Sequence, residues 1–132
     1  MPSKTILVVD DNFMNQRMAE LILEQEDYFV VKAKSGMECL MELQHTPVDL
    51  ILLDLEMPIM DGVQTLEIIK KNKQWMNIPV IILTASADVS TVKEVSALGI
   101  IDYIKKPIQQ GDLVHRVKKA LQMQEHDDDL IL

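Results

Sequence analysis

Apolar residues recur along this chain with two alternating periods. The run Thr5-Ile6-Leu7-Val8-Val9 is continuously apolar, as expected of a parallel strand buried on both faces, and it stops at Asp10-Asp11. Met14, Met18, Leu21 and Ile22 follow at i, i+4, i+7 and i+8, which predicts a helix with that apolar face turned to a core. A second strand is expected over 28–33. Ser35-Gly36 then opens a helix carrying Cys39, Leu40 and Leu43, and Pro47 closes it. The third strand covers 50–53 and ends at Asp54. The stretch 56–62 has turn chemistry at Pro58 and at Asp61-Gly62, and a helix with Val63, Leu66 and Ile69 comes next. Pro79 introduces Val80-Ile81-Ile82-Leu83, which ends at Thr84-Ala85. Over 88–98 the apolar residues Val89, Val92 and Val95 are interspersed with Ser90, Thr91 and Ser96, predicting a helix of low propensity stopped by Gly99. A short fifth strand over 101–104 ends at Lys105-Lys106-Pro107. The last helix presents Leu113, Val117, Ala120 and Leu121, and the pattern fails at Glu125-His126-Asp127-Asp128-Asp129, a charged and frayed tail.

Five strands alternating with five helices predict an α/β domain with a doubly wound parallel sheet and right-handed crossovers. In such sheets the site lies at the carboxyl ends of the strands. That rule selects Asp10, Asp11, Asp54, Thr84 and Lys106. The chain has no internal repeat, low-complexity segment or interdomain linker. One domain is expected over 1–124, with 125–132 a short acidic tail and no output domain.

Composition narrows the classes. At 132 residues and 48% hydrophobic content the chain can build one real core. No apolar run approaches the roughly 20 residues of a membrane helix. The N-terminus leads straight into a strand, so no signal peptide is expected. A single Cys39 excludes an internal disulfide and suits a reducing cytoplasm; beside Leu40 it reads as a small core residue. The net charge of −8 argues against non-specific DNA binding, which needs a basic footprint. His45, His115 and His126 lack metal-ligand spacing, and the four glycines form no nucleotide fingerprint.

The strand-end residues carry a definite chemistry. Asp10, Asp11 and Asp54 repel one another where neighbouring strands end, and such a cluster is stable mainly around a hard divalent cation such as Mg²⁺. Asp11-Asn12 also suits a helix cap, but capping needs only one residue, so the doublet favours metal. Asp54 is free to act as a nucleophile toward phosphorus, giving an acyl phosphate. Lys106 supplies a point charge for a phosphoryl dianion, and Pro107 fixes the backbone after it. The Thr84 hydroxyl can donate to a phosphoryl oxygen. Lys105 reads as a solvated neighbour.

With these residues in place the chain resembles a receiver domain of the two-component response-regulator family, of the chemotaxis-regulator type. The likeness covers 4–123 and rests on the acidic pair in VVDDN, the acceptor in LILLDLEMPIMDG, the hydroxyl in VIILTA and the lysine in DYIKKP. It implies a flavodoxin-like sheet of order 2-1-3-4-5 with helices on both faces. It implies transfer of a phosphoryl group from a phosphohistidine, on a sensor histidine kinase or a histidine phosphotransfer protein, to Asp54. It implies Mg²⁺, with Mn²⁺ as a substitute, held by Asp10, Asp11, Asp54 and the backbone carbonyl of Glu56. Thr84 and Tyr103 match the family's switch pair, Lys106 its lysine, and partners or a second copy would dock near Tyr103. The positions of Glu56 and Ser86 vary in the family and influence how long the phosphoryl group survives. VVDDNFMNQ is more like receivers attached to hybrid sensor kinases, so the chain is either a stand-alone regulator or a segment of a larger protein. A switch is expected and not a metabolic enzyme. A Mg²⁺-dependent aspartyl phosphohydrolase fits less well, because Asn12 and Glu56 stand where a dehalogenase-type phosphatase places its second acid.

Overall fold

The structure, a computed structural model, describes residues 3–86 and 88–131, with side chains as far as Met123. Strands and helices alternate: β1 Thr5–Val9, α1 Phe13–Gln25, β2 Phe29–Ala33, α2 Gly36–His45, β3 Leu50–Asp54, α3 Gly62–Lys71, β4 Val80–Thr84, α4 Val89–Leu98, β5 Asp102–Lys105 and α5 Gln110–Ile131. The sheet is parallel throughout, with spatial order β2-β1-β3-β4-β5. Both features match the expected doubly wound architecture.

Strand residues alternate between faces, and here both faces are apolar. Ile6, Val8, Leu50, Leu52, Ile81, Leu83 and Ile104 pack against α1 and α5. Leu7, Val9, Ile51, Leu53, Val80 and Ile82 pack against α2, α3 and α4. Cys39 belongs to the second layer, where burial pushes its thiol up to about 12. Trp75 closes that layer from the turn before β4.

Helix α1 departs from its expected orientation. Of the four residues read as its apolar face only Ile22 is buried; Met18 and Leu21 are exposed, and Met14 is 69% exposed. The buried face is Gln16, Ala19, Glu20, Ile22 and Leu23. The reason is polar. The Gln16 amide donates to the carbonyl of Ala33 at 2.9 Å and that of Asp10 at 3.3 Å, tying the helix to the ends of β1 and β2. Ala19 then lets the helix approach the sheet, and Glu20 pairs with Arg17 and Lys32 at its margin.

Local chemistry sets the other ends. Asp61 and Gln64 form a reciprocal capping box that starts α3, and a Cβ on Gly62 would collide with the Asp54 carbonyl oxygen. Gly99 ends α4 in the left-handed region at φ 97°. Ile59, in the β3–α3 loop, also has positive φ (69°) and is fully exposed. The Lys106–Pro107 peptide is cis. The backbone of α5 stays helical through Ile131, so the segment expected to fray continues the helix; its side chains lie outside the described residues.

Candidate functional site

Three strand ends and one helix cap build the site. Asn12, not Asp11, caps α1: its side chain accepts from the backbone N–H of Asn15 at 2.9 Å. That leaves both aspartates for other work. Asp10 is 1% exposed at the end of β1, and its Oδ1 accepts from the Asn12 N–H at 2.9 Å. Asp11 is exposed at the mouth. Asp54 is the last residue of β3 and also 1% exposed. One carboxylate oxygen from each of Asp10, Asp11 and Asp54 falls within a set whose members all lie within 4.8 Å of one another.

Lys106 reaches into this cluster from the β5–α5 connection. Its Nζ lies 3.0 Å from Asp54 Oδ1 and 3.2 Å from Asp10 Oδ2, the latter an ion-pair contact without hydrogen-bond geometry. The Lys106 backbone N–H donates to the Thr84 carbonyl at 2.8 Å, anchoring the loop to β4. Asp54 Oδ1 also accepts from the Glu56 N–H at 3.2 Å. Asp54 Oδ2 is buried and has no hydrogen-bond partner among the described residues. A buried carboxylate oxygen left unpaired is costly. It is also the atom a cation or an electrophile would meet.

The electrostatics follow from this packing. Burial, then contact with Glu56, then the Asp10 charge push Asp54 up to about 7, against the pull of Lys106. Burial works against the Lys106 ammonium, but Asp54 and Asp10 outweigh it and hold its pKa above the ordinary lysine value. The lone cation therefore faces an excess of acid. A hard divalent cation fits the all-oxygen donor set and would relieve both the repulsion and the unpaired Oδ2.

Thr84 ends β4 beside this cluster, yet its hydroxyl does not touch Asp54. It lies 2.7 Å from Glu56 Oε1 and 2.8 Å from the Ser86 carbonyl. The same Glu56 oxygen accepts from the Ala85 backbone N–H at 3.0 Å. Burial raises the Glu56 carboxyl, but Thr84, Asp54 and Ala85 together hold it below its ordinary value. From sequence, Glu56 was assigned a backbone ligand and an influence on phosphoryl lifetime, but the contact of its side chain with Thr84 and the Ala85 N–H was missed. The signal was present: in extended chain, residues 54 and 56 point the same way. Gln16 was missed as well, hidden by the apolar period around it.

Tyr103 stands apart from the cluster. It is 39% exposed on β5, paired in register with Ile82 two residues before Thr84. Because Ile104 packs with α5, Tyr103 faces the side of the sheet that carries α4.

Residues 6–118 match the response regulator receiver domain family. The chain is 35% identical over 115 residues to the CAI-1 autoinducer sensor kinase/phosphatase CqsS of Vibrio cholerae, covering 86% of this chain and 17% of that protein. It is 37% identical over 116 residues to the transcriptional regulatory protein ResD of Bacillus subtilis, covering 88% of this chain and 47% of that protein. The chain thus spans less than half the length of both relatives, which include a sensor kinase and a transcriptional regulator alike. Among solved structures, a CheY-like receiver domain protein from Methanospirillum hungatei superposes with a TM-score of 0.89 at 30% identity, over 96% of this chain and 99% of that one. Sheet order, strand-end acids and lysine thus coincide with a match over most of the chain: it belongs to the response regulator receiver domain family.

Proposed function

We propose that Asp54 is a phosphoryl acceptor and that the domain is a Mg²⁺-dependent conformational switch. The observation that carries this reading is Asp54 itself: a buried strand-end carboxylate with one oxygen on Lys106 and the other unpaired, beside two more aspartates. Asp54 Oδ2 attacks phosphorus as the bond from phosphorus to the donor's imidazole nitrogen breaks. An acyl phosphate forms, and the bonding electron pair stays on the imidazole. Asp10, Asp11, Asp54 and the Glu56 carbonyl would hold Mg²⁺, or Mn²⁺ in its place. When bound, the cation supplies charge neutralisation for the incoming dianion. Lys106, already between Asp10 and Asp54, neutralises a further phosphoryl oxygen.

The donor is a phosphohistidine on a sensor histidine kinase or a histidine phosphotransfer protein. The output is read by a downstream protein or by a second phosphorylated copy. Thr84 and Tyr103, on adjacent strands and on the α4 side of the sheet, relay the state. A phosphoryl oxygen draws the Thr84 hydroxyl inward, and Tyr103 turns into the space left behind. No helix among the described residues is long and apolar enough to cross a membrane. The domain is a signalling module and not a turnover enzyme.

The test is incubation with acetyl phosphate and Mg²⁺, followed by mass spectrometry. One base-labile phosphoryl group is expected on Asp54, none in EDTA, and none at that site in Asp54→Asn. Asp11→Ala is expected to weaken Mg²⁺ binding at least about tenfold by calorimetry, since one of three carboxylate ligands is lost. Labelling of Asp54→Asn at the normal rate would refute the acceptor assignment.

A further inference from the structure

A phosphoryl group on Asp54 carries three terminal oxygens, and each needs a partner in a site this crowded with acid. Lys106 and a cation account for one side of the site. Beside Asp54 at the end of β4 stand two further donors, the Thr84 hydroxyl and the Ala85 N–H. Both already point at a single atom, Glu56 Oε1, at 2.7 and 3.0 Å. The Thr84 hydroxyl has one proton, and between Glu56 and the neutral Ser86 carbonyl the charged oxygen is the stronger acceptor. Glu56 is tethered two residues beyond Asp54, and its carboxylate is close enough to contribute to the raised Asp54 pKa.

We propose that the Glu56 carboxylate occupies the anion subsite formed by the Thr84 hydroxyl and the Ala85 N–H, so that it competes within the chain with a phosphoryl group on Asp54. This deepens the acceptor reading and rests on it. With Glu56 in place, Thr84 is held by an acid of the β3–α3 loop in the resting domain. Phosphorylation has to displace that acid before Thr84 can move, so Glu56 is a positioning residue that sets the threshold of the switch. The arithmetic is that of a fractionally available site: a latch closed about nine-tenths of the time weakens the apparent affinity for the anion about tenfold. Glu56 is exposed, so truncating it leaves both cores intact.

The test titrates beryllofluoride with excess Mg²⁺, following amide shifts by NMR, into wild type, Glu56→Ala, Glu56→Gln and the double variants with Thr84→Ala. Without ligand, Glu56→Ala should move the Ala85 amide resonance, as a lost hydrogen bond requires. Its beryllofluoride affinity should rise about tenfold. Glu56→Gln keeps an acceptor oxygen and drops the charge, so its gain should be smaller than that of Glu56→Ala. In the Thr84→Ala background, where half the contested donors are gone, the gain should shrink as well. Equal gains in Glu56→Ala and Glu56→Gln, undiminished by Thr84→Ala, would mean that only charge repulsion is at work and would overturn the latch. Unchanged affinity in Glu56→Ala would overturn it too. Wild-type binding that Asp54→Asn abolishes keeps the acceptor reading standing in either case; a wild type that binds no beryllofluoride removes both.

Discussion

Asp54 illustrates how one carboxylate can be unfavourable for the fold and necessary for the chemistry. Its native pKa is pushed up to about 7, well above the ordinary aspartate value near 4. A group whose native pKa is raised adds stability below its unfolded pKa and loses it as pH rises through the native value. Metal-free protein should therefore lose stability as pH rises from about 5 to about 7, where the unfolded carboxyl is ionised and the native one is not, and little beyond. Urea midpoints in EDTA across that window check this, with Mg²⁺ and Asp54→Asn each expected to flatten the slope. An unchanged slope in Asp54→Asn would assign the effect elsewhere. Glu56 and Glu20, both held below the ordinary glutamate value, contribute in the opposite sense only at lower pH. At this scale the acids and Lys106 were legible in sequence because strand ends announce themselves. The contacts of the Glu56 side chain were not, because its partners lie 28 and 29 residues away on another strand end.

At the scale of elements, strand boundaries agreed with the apolar runs to within a residue or two, since fully buried parallel strands leave a continuous signature, whereas α5 runs on past its apolar pattern to Ile131. Helix α1 was misoriented because hydropathy ranks Met above Gln. Two hydrogen bonds from a buried amide to strand-end carbonyls outweigh a methionine stripe that can remain in water. Gln16→Leu should thus cost about 1–3 kcal/mol, since the Asp10 carbonyl loses its side-chain donor and the Ala33 carbonyl keeps only the Asp10 N–H. Met18→Ala should stay within about 0.5 kcal/mol of wild type. Chemical denaturation of both variants decides it; a larger loss at Met18 would restore the face suggested by periodicity. Helix α4 holds one buried side chain, Val95, and carries serine and threonine in its first turn. That makes it the weakest-held helix beside Thr84 and Tyr103. Thr84→Ala should still be phosphorylated on Asp54 yet fail to shift amide resonances over 88–105. Equal large shifts with and without the hydroxyl would exclude Thr84 as the coupling residue.

For the molecule as a whole, a net charge of −8 and an acidic mouth set the terms of encounter. Random duplex DNA should show no mobility shift with micromolar protein at physiological salt; a shift that fades with salt would contradict this. The doubly wound parallel sheet could be read from alternation and its strand order from the family resemblance, whereas the partners could not, because they are recognised by surfaces that no periodicity marks. The sheet itself has a further consequence. Alternate residues of the same strands feed two layers that share no buried side chain, one with α1 and α5, the other with α2, α3 and α4. Each layer can then accumulate substitutions on its own schedule. Paired changes on opposite sides should sum to within about 0.5 kcal/mol, while pairs within one layer should not. A lineage could thus rebuild one face of the sheet for a new listener and leave the opposite face untouched by the drift.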